Sequence, residues 1–303
     1  MSIKRKGIIL AGGYGTRLRP LTKGISKQIL PVYDKPLIYY PLSTLMLGGI
    51  REILIITTKD DHETFKNLLG DGKSLGINLT YKIQAIPEGV AKALLIAENF
   101  IKNSPSALIL GDNIFYGNEL VNILRKADLK KDCATVFTYP VSDPENYGVI
   151  EFDERSKPLR IVEKSSQFLS RFAITGLYYY DSNAIEKAKQ IKPSIRGEYE
   201  ISSLNQIYLD EHKLNIEKLG RGLAWLDAGT IDSLIEAGIY IRSIEHRQGL
   251  KIGCPEEIAW RFGWINDNNL EDLAHPLKKS GYGDYLLKLL EEENLNDKYE
   301  ITY

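Results

Sequence analysis

Short apolar runs alternate with amphipathic stretches through the first 140 residues of the chain. Apolar runs of about four to eight residues are typical of buried strands, and apolar positions at helical spacing are typical of helices. The predicted strands are Gly7–Leu10, Glu52–Thr57, Leu79–Gln84, Ala107–Leu110 and Ala134–Tyr139. The predicted helices between them are Pro41–Leu47, His62–Leu69, Gly89–Ile101 and Glu119–Lys130. This order predicts an α/β fold whose mostly parallel sheet is covered by helices on both faces.

The pattern changes in the second half of the chain. The strands predicted there are Gly148–Phe152, Ile174–Tyr180 and Leu214–Leu219, and they surround one predicted helix, Glu198–Glu211. The later helices are predicted at Ile231–His246, Glu256–Arg261, Leu270–Leu273 and Tyr282–Glu292. We expect one core over 1–235, followed by a helical segment over 236–303. Within the core, the parallel sheet would take about 1–140 and a second lobe about 141–226.

The composition narrows the possible classes of protein. The chain has 303 residues, of which 43% are hydrophobic and 26% charged, so a sizeable core can form. A net charge of −1 argues against general binding to nucleic acid or to a membrane surface. No apolar run approaches about 18 residues, so no membrane span is predicted. Cys133 and Cys254 are too few for a disulfide framework, which favours a reducing, cytoplasmic location.

The charge is concentrated at one end of the sequence. Residues 1–35 carry eight basic side chains and one acidic side chain, which is a local charge of +7. Positive charge clustered in this way predicts that an anionic ligand binds near the N-terminal strand.

A glycine-rich loop follows that first strand. Gly12, Gly13 and Gly15 let backbone N–H groups approach a phosphate closely, and Arg17 can bind phosphate oxygens in a bidentate manner. A dinucleotide-binding fingerprint is excluded because its third glycine position holds Leu18, and no Gly-Lys-Ser/Thr of a Walker loop follows. The alternative is a glycine-rich turn with solvated arginines.

Three more side chains are candidates for binding the phosphates or a metal ion beside them. Lys27 could bind the same phosphates, or it could be a solvated loop lysine. Asp112 follows a predicted buried strand, where a carboxylate can hold Mg²⁺ beside a triphosphate, although turn formation is the alternative. Asp227 precedes a predicted helix, where helix capping is the alternative.

The motifs around these residues resemble a known family. The run Gly-Gly-x-Gly-Thr-Arg-Leu-x-Pro-Leu-Thr at 12–22, followed by Lys-Gln-x-Leu-Pro-Val at 27–32, is similar to the sugar-1-phosphate nucleotidylyltransferases. The longer run from Ser26 to Met46 resembles the thymidylyltransferase branch of that family in particular. The similarity extends over almost the whole chain, from about Lys6 to Leu290.

The resemblance implies a fold, a reaction and a set of roles. The fold would be a Rossmann-like sheet with a sugar-binding lobe and C-terminal helices, assembled as a homotetramer. The reaction would convert dTTP and α-D-glucose 1-phosphate to dTDP-glucose and pyrophosphate, with Mg²⁺ as cofactor. Asp112 and Asp227 would hold the metal. Arg17 would stabilise the leaving pyrophosphate, Lys27 the β- and γ-phosphates, and Lys164 the incoming sugar phosphate.

Further substrate-binding positions follow from the family's motifs. They are Leu10, Gly12, Gly13, Gly15, Thr16, Gln28, Gln84, Pro87, Gly89, Asp112, Tyr147, Gly148, Glu163, Lys164, Ile174, Arg196 and Trp225. The Gln84 amide can both donate to and accept from the edge of thymine or uracil. Glu163 would bind sugar hydroxyls, and Arg196 is a further phosphate contact. Read without the family, Glu163 and Lys164 form an exposed charge pair, and Gln84 is a polar residue closing a strand.

Three positions depart from the family's usual pattern. Tyr14 replaces a serine, Lys92 a glutamine and Asn118 a histidine, the last in a second nucleotide site. The first two bear on nucleotide preference. Two alternatives therefore stay open, a uridylyltransferase that makes UDP-sugars and a non-catalytic paralogue. The presence of Asp112, Asp227, Arg17 and Lys27 together argues against the paralogue.

Overall fold

The computed structural model describes residues 3–165 and 167–294. The strands are β1 (Lys6–Ala11), β2 (Pro31–Val32), β3 (Lys35–Pro36), β4 (Glu52–Thr57), β5 (Asn78–Ile83), β6 (Ser106–Leu110), β7 (Asn113–Gly117), β8 (Ala134–Pro140), β9 (Gly148–Phe152), β10 (Pro158–Glu163), β11 (Phe172–Tyr180), β12 (Leu214–Lys218) and β13 (Leu223–Asp227). The helices are α1 (Tyr39–Leu47), α2 (His62–Leu69), α3 (Lys92–Ile96), α4 (Glu98–Ile101), α5 (Leu120–Leu129), α6 (Ala184–Ala188), α7 (Ile201–Asp210), α8 (Ile231–Gln248), α9 (Pro255–Arg261), α10 (Asp267–Ala274) and α11 (Tyr282–Asn294).

A large sheet of nine strands organises the molecule. Its main path runs β10-β9-β11-β6-β1-β4-β5, and β8 and β12 extend it beyond β11. Strand β1 pairs in parallel with both β4 and β6, and β4 pairs in parallel with β5. Strand β11 runs antiparallel to β6, β8 and β9. The mostly parallel sheet predicted from the sequence is confirmed, with β11 as an antiparallel member inside it.

Both faces of the sheet are buried. Successive side chains of a strand point to opposite faces, so Ile8 and Ile9 of β1 belong to different apolar clusters. Leu94 and Leu204, from α3 and α7, cover the face of Ile8. Helices α1, α5 and α9 cover the face of Ile9. Continuous apolar runs such as that of β4 are therefore required, because neither face meets water.

One predicted helix begins later than expected. The pattern at Gly89–Ile101 predicts a single helix, whereas α3 starts three residues later and α4 follows it as a separate short helix. The cause is the pairing of this segment with Tyr199, whose backbone N–H donates to the Glu88 carbonyl (2.7 Å) and whose carbonyl accepts from the Ala91 N–H (3.1 Å). Gly89, at φ +101°, lies so close to Tyr199 that a Cβ would be 2.6 Å from its backbone. These bonds hold the segment extended.

A small second sheet was not predicted from the sequence patterns. Strands β7 and β13 pair antiparallel, with Asp227 opposite Asn113. Neither strand was predicted, and nor were β10 and α6. The β7–β13 sheet joins the end of β6 to the start of α8, and so it places residues of distant sequence side by side.

The C-terminal helices share the core of the sheet. Helix α8 is continuous across residues 235 and 236, where the predicted core and helical segment meet. Leu270 and Leu286, from α10 and α11, pack in the same cluster as Ile9. The division at 235 remains a prediction. No helix within the described residues is long and apolar enough to span a membrane.

Candidate active site

A cleft of about 720 Å³ opens at the carboxyl end of β6, and residues of β9, β10, β11 and β13 also line it. Ligands of parallel α/β sheets bind at this edge, where the loops after the strands gather. The predicted site residues on its wall are Arg17, Asp112, Tyr147, Gly148, Glu163, Lys164, Ile174, Arg196, Trp225 and Asp227. The other predicted residues belong to the glycine loop and the segments beside it. They are Leu10, Gly12, Gly13, Gly15, Thr16, Lys27, Gln28, Gln84, Pro87 and Gly89.

The two candidate metal ligands meet through the small sheet. Asp112 lies in the turn between β6 and β7, and Asp227 is the last residue of β13. The antiparallel register sets Asp227 opposite Asn113, and the Ala228 N–H donates to the Asp112 carbonyl (3.1 Å). Asp227 does not cap α8, because Thr230 does so in a capping box with Ser233. The capping alternative for Asp227 is therefore wrong.

Asn113 holds the Asp112 carboxylate in place. Its Nδ2 donates to Oδ1 of Asp112 (3.0 Å), and its Oδ1 accepts from Nε1 of Trp225 (2.6 Å) and from the Gly176 N–H (2.9 Å). A Cβ on Gly176 would lie 2.5 Å from this Oδ1, so glycine is required there. Asn113 was not among the predicted site residues. Its place directly after Asp112 was the only signal, because its other two partners come from the distant strands β11 and β13.

The two carboxylates have opposite pKa shifts. Burial raises the pKa of Asp112, but the Lys27 ammonium beside it outweighs burial, and the net shift is downward. Burial and the charge of Asp112 raise the pKa of Asp227 to about 7, although Lys27, Arg17 and Lys164 act against this rise. A carboxylate pair of this kind attracts a cation, since like charges close together cannot both be ionised at low cost.

Two cationic side chains approach this pair from the N-terminal loops. Arg17 stands on a 3-10 turn after Gly15, which has φ +57°. A Cβ on Gly229 would lie 3.2 Å from Nη2 of Arg17 and 3.0 Å from Oδ1 of Asp227. Gly229 therefore lets the guanidinium and the carboxylate lie close together. Lys27, on the next 3-10 turn, pairs through Nζ with Oδ2 of Asp112.

The glycine loop and Gln84 form a second wall beside the cleft. Gln84 follows β5 and is 5% exposed. A Cβ on Gly12 would lie 2.6 Å from Oε1 of Gln84, so only glycine leaves room for this amide. Lys92 pairs with Glu88 (3.2 Å) and lies over the Tyr199 ring (4.9 Å from its centroid). The structure therefore gives Lys92 local partners, as expected of a helix lysine.

Glu163 ends β10 and Lys164 follows it, and both line the cleft. Gly148 pairs with Glu163 in the β9–β10 register, and a Cβ on Gly148 would be 3.1 Å from Oε2 of Glu163. Burial and the nearby Glu200 raise the pKa of Glu163. Lys164 has φ +47°, a left-handed conformation that is uncommon outside glycine, and its N–H donates to the Tyr147 carbonyl (3.0 Å).

Arg196 is surrounded by carboxylates. Its Nη2 donates to both carboxylate oxygens of Glu200 (2.8 and 2.9 Å), and its Nε also donates to that residue (3.1 Å). Glu198 and Glu163 lie 3.4 and 3.8 Å from the same Nη2. Nε and Nη2 of Arg196 therefore serve carboxylates, so a phosphate contact by Arg196 would use Nη1 or would require this fork to open.

The described residues hold no larger metal-binding cluster, and a second cavity lies apart from the cleft. Among the described residues, no group of three or more His, Cys, Asp or Glu side chains could hold a metal ion. Asn118 lies in the wall of a second cavity of about 660 Å³, whose lining residues are separate from those of the cleft.

Known proteins share both the sequence and the fold. A family model described as "Nucleotidyl transferase" matches residues 6–243. Glucose-1-phosphate thymidylyltransferase from Neisseria meningitidis is 54% identical, covering 95% of this chain and 100% of the relative. The protein of the same name from Mycolicibacterium smegmatis is 55% identical over 95% of this chain and all of its own length.

Solved structures agree with these relatives. A Bacillus anthracis chain described as a glucose-1-phosphate thymidylyltransferase, in complex with sucrose, has a TM-score of 0.73 and 39% identity. It covers 79% of this chain and 96% of its own. A UDP-glucose pyrophosphorylase with bound UDP-glucose has a TM-score of 0.70 and 26% identity, covering 79% of this chain and 99% of its own. The family predicted from the glycine loop is confirmed. The chain belongs to the nucleotidyl transferase family, and within it to the group of the glucose-1-phosphate thymidylyltransferases.

Proposed function

We propose that this protein transfers the thymidylyl group of dTTP to α-D-glucose 1-phosphate and so makes dTDP-glucose and pyrophosphate. The observation that carries the proposal is one cleft in which Asp112 and Asp227 are brought together by the β7–β13 register, with Arg17, Lys27 and Lys164 acting on Asp227. Relatives at 54–55% identity that carry the thymidylyltransferase name support the choice of substrates.

The reaction is a single displacement at phosphorus. An oxygen of the sugar phosphate attacks the α-phosphorus of dTTP, the bond from that phosphorus to the bridging oxygen of the β-phosphate breaks, and pyrophosphate leaves with the electron pair. Such a transfer needs little covalent help from the protein, so positioning and charge neutralisation account for most of the catalysis.

The residues around Asp112 fit a magnesium ion. Magnesium prefers oxygen ligands and is usually held by one or two carboxylates together with substrate phosphates. Asp112 and Asp227 supply two carboxylates, and Asn113 fixes one oxygen of Asp112. The Lys27 ammonium at the other oxygen shows that a cation is accepted there. When bound, Mg²⁺ would neutralise charge on the triphosphate during the transfer.

The remaining residues bind and orient the substrates. The glycine loop would present its N–H groups to the phosphates, and Arg17 would stabilise the departing pyrophosphate. Lys27 would bind the β- and γ-phosphates, and Lys164 the sugar phosphate. Gln84 would read the thymine edge, and Glu163 would accept hydrogen bonds from sugar hydroxyls. Arg196 would contact phosphate through Nη1, or through its other nitrogens if it leaves Glu200. Assembly as a homotetramer and a cytoplasmic location stay predictions.

A uridylyltransferase is the second candidate, because thymine and uracil offer the same hydrogen-bonding edge and a UDP-glucose pyrophosphorylase has a similar fold. Pyrophosphate release measured with dTTP, UTP, CTP, ATP and GTP, each with several sugar phosphates, separates the two. We expect the highest kcat/KM for dTTP with glucose 1-phosphate. A higher kcat/KM for UTP would favour the uridylyltransferase, and no release with any pair would favour the paralogue.

Asp112→Asn tests the metal assignment. The substitution replaces one negative ligand by a neutral amide of the same shape, and we expect kcat to fall on the order of a hundredfold or more at saturating Mg²⁺. Asp272→Asn, at an exposed position of α10, is the matched control and should keep full activity. Full turnover in a folded Asp112→Asn protein would remove Asp112 from the metal site.

A further inference from the structure

Lys27 has a partner that its proposed phosphate contact does not explain. Its Nζ pairs with Oδ2 of Asp112, and the two side chains are only 14% and 10% exposed. We propose that Lys27 is a placeholder for the metal. Without nucleotide, its ammonium neutralises Asp112 and keeps free Mg²⁺ out; with nucleotide, the ammonium moves to the triphosphate and the metal takes its place. This inference rests on the proposed function, since it takes Asp112 to be a metal ligand.

The charge around the two carboxylates supports this role. Asp112, Lys27, Arg17 and Lys164 all act electrostatically on Asp227. With both carboxylates ionised, these five side chains carry two negative and three positive charges. A free divalent cation gains little from such a cluster, and magnesium gives up its waters reluctantly. Removal of the Lys27 charge alone makes the cluster neutral and leaves Asp112 without its ammonium partner.

The position of Lys27 allows the exchange. A Cβ on Gly15 would lie 3.4 Å from the Cβ of Lys27, so the turn that carries Lys27 packs against the glycine loop. A triphosphate bound by that loop lies within reach of the flexible lysine stem. Asn113 keeps its hydrogen bond to Oδ1 of Asp112, and only Oδ2 has to change its partner.

The exchange couples the two ligands. A nucleotide that draws Lys27 away from Asp112 raises the affinity for the metal, and by linkage the metal raises the affinity for the nucleotide by the same factor. The protein therefore takes up metal and nucleotide together rather than metal first.

The test measures binding of Mn²⁺ alone, by electron paramagnetic resonance, in the absence of nucleotide and at a pH above the raised pKa of Asp227. Lys27→Met removes the charge but keeps the stem, and we expect it to bind one Mn²⁺ about tenfold or more tightly than the wild type. Lys27→Arg keeps the charge and should bind as weakly as the wild type. Lys23→Met removes an exposed lysine of the same segment and should also leave Mn²⁺ affinity unchanged.

Two further measurements test whether the gain in Mn²⁺ affinity depends on Asp112 and whether each variant folds. Lys27→Met combined with Asp112→Asn should lose the tight Mn²⁺, because the carboxylate is gone. Thermal unfolding shows whether each variant folds, and Lys27→Gln is measured beside Lys27→Met in case the methionine variant does not. Folded Lys27→Met and Lys27→Gln proteins that bind Mn²⁺ no more tightly than the wild type overturn the placeholder role.

The metal assignment and the placeholder inference can be disproved separately. If Lys27→Met gains no affinity while Asp112→Asn still loses turnover with Mg²⁺, only the placeholder inference falls. If Asp112→Asn keeps full turnover, the metal assignment falls, and the inference falls with it.

Discussion

The two sides of the cleft distribute their charges differently. The nucleotide half, formed by the glycine loop, Arg17, Lys27 and Gln84, brings cations toward the buried Asp112 and the half-buried Asp227. The sugar half, formed by Glu163, Lys164, Arg196 and Glu200, surrounds its arginine with carboxylates. Polyphosphate needs positive charge and close backbone N–H groups, whereas sugar hydroxyls need acceptors. Each half therefore matches the chemistry of the substrate part proposed for it.

The largest effect that separates the halves is expected from Arg17→Lys. A lysine keeps the charge but not the guanidinium fork, and we expect kcat to fall on the order of tenfold to a thousandfold. Steady-state kinetics with both substrates varied measures it, and Arg19→Lys, two positions along the same loop, is the matched control. A change in KM alone would make Arg17 a ground-state anchor rather than a group that stabilises the leaving pyrophosphate.

Glu163→Gln tests the sugar half. The amide keeps the shape of the side chain but weakens its bonds to hydroxyl groups, so kcat/KM for glucose 1-phosphate should fall by about tenfold to a hundredfold. The KM for dTTP should stay the same, because Glu163 lies across the cleft from the glycine loop. Glu154→Gln, at an exposed turn between β9 and β10, is the control. An equal loss for both substrates would contradict the division into halves.

Gln84→Ala should have the smallest effect of the three. Loss of a neutral hydrogen bond in a closed site is expected to lower kcat/KM for dTTP by about tenfold. Lys92→Gln is the comparison in the same segment. Since Lys92 pairs with Glu88, its substitution should leave kcat high. The ratio of kcat/KM for dTTP to kcat/KM for UTP should change only modestly. Unchanged kinetics in Gln84→Ala would remove base reading from this segment.

The parallel core could be predicted because its inner strands β1, β4 and β6 are short apolar runs. Strand β4 and helix α2 have the predicted limits, β6 begins one residue earlier than predicted, and β1 extends one residue further at each end. Because these strands are buried on both faces, their sequences are continuously apolar, which a local pattern can detect. Gly15 has the positive φ that the glycine-rich loop predicts, whereas phosphate binding by this loop stays a prediction.

The rest of the site depends on contacts between distant segments. Strand β13 forms because it pairs with β7, more than a hundred residues earlier, and no local pattern marks that partner. Asn113 became a site residue only when Trp225 and Gly176 were placed around it. Arg196 was expected to bind phosphate, and its fork with Glu200 could not be read from its position in the sequence.

We infer that the two halves act in one step, with the sugar phosphate attacking dTTP directly across the cleft. The most direct measurement uses dTTP with a single sulfur at the α-phosphorus, in one configuration, and determines the configuration of the thio-dTDP-glucose formed. One in-line displacement predicts inversion at this phosphorus. Retention would mean two displacements through a nucleotidylated side chain, and it would contradict direct transfer between the two halves.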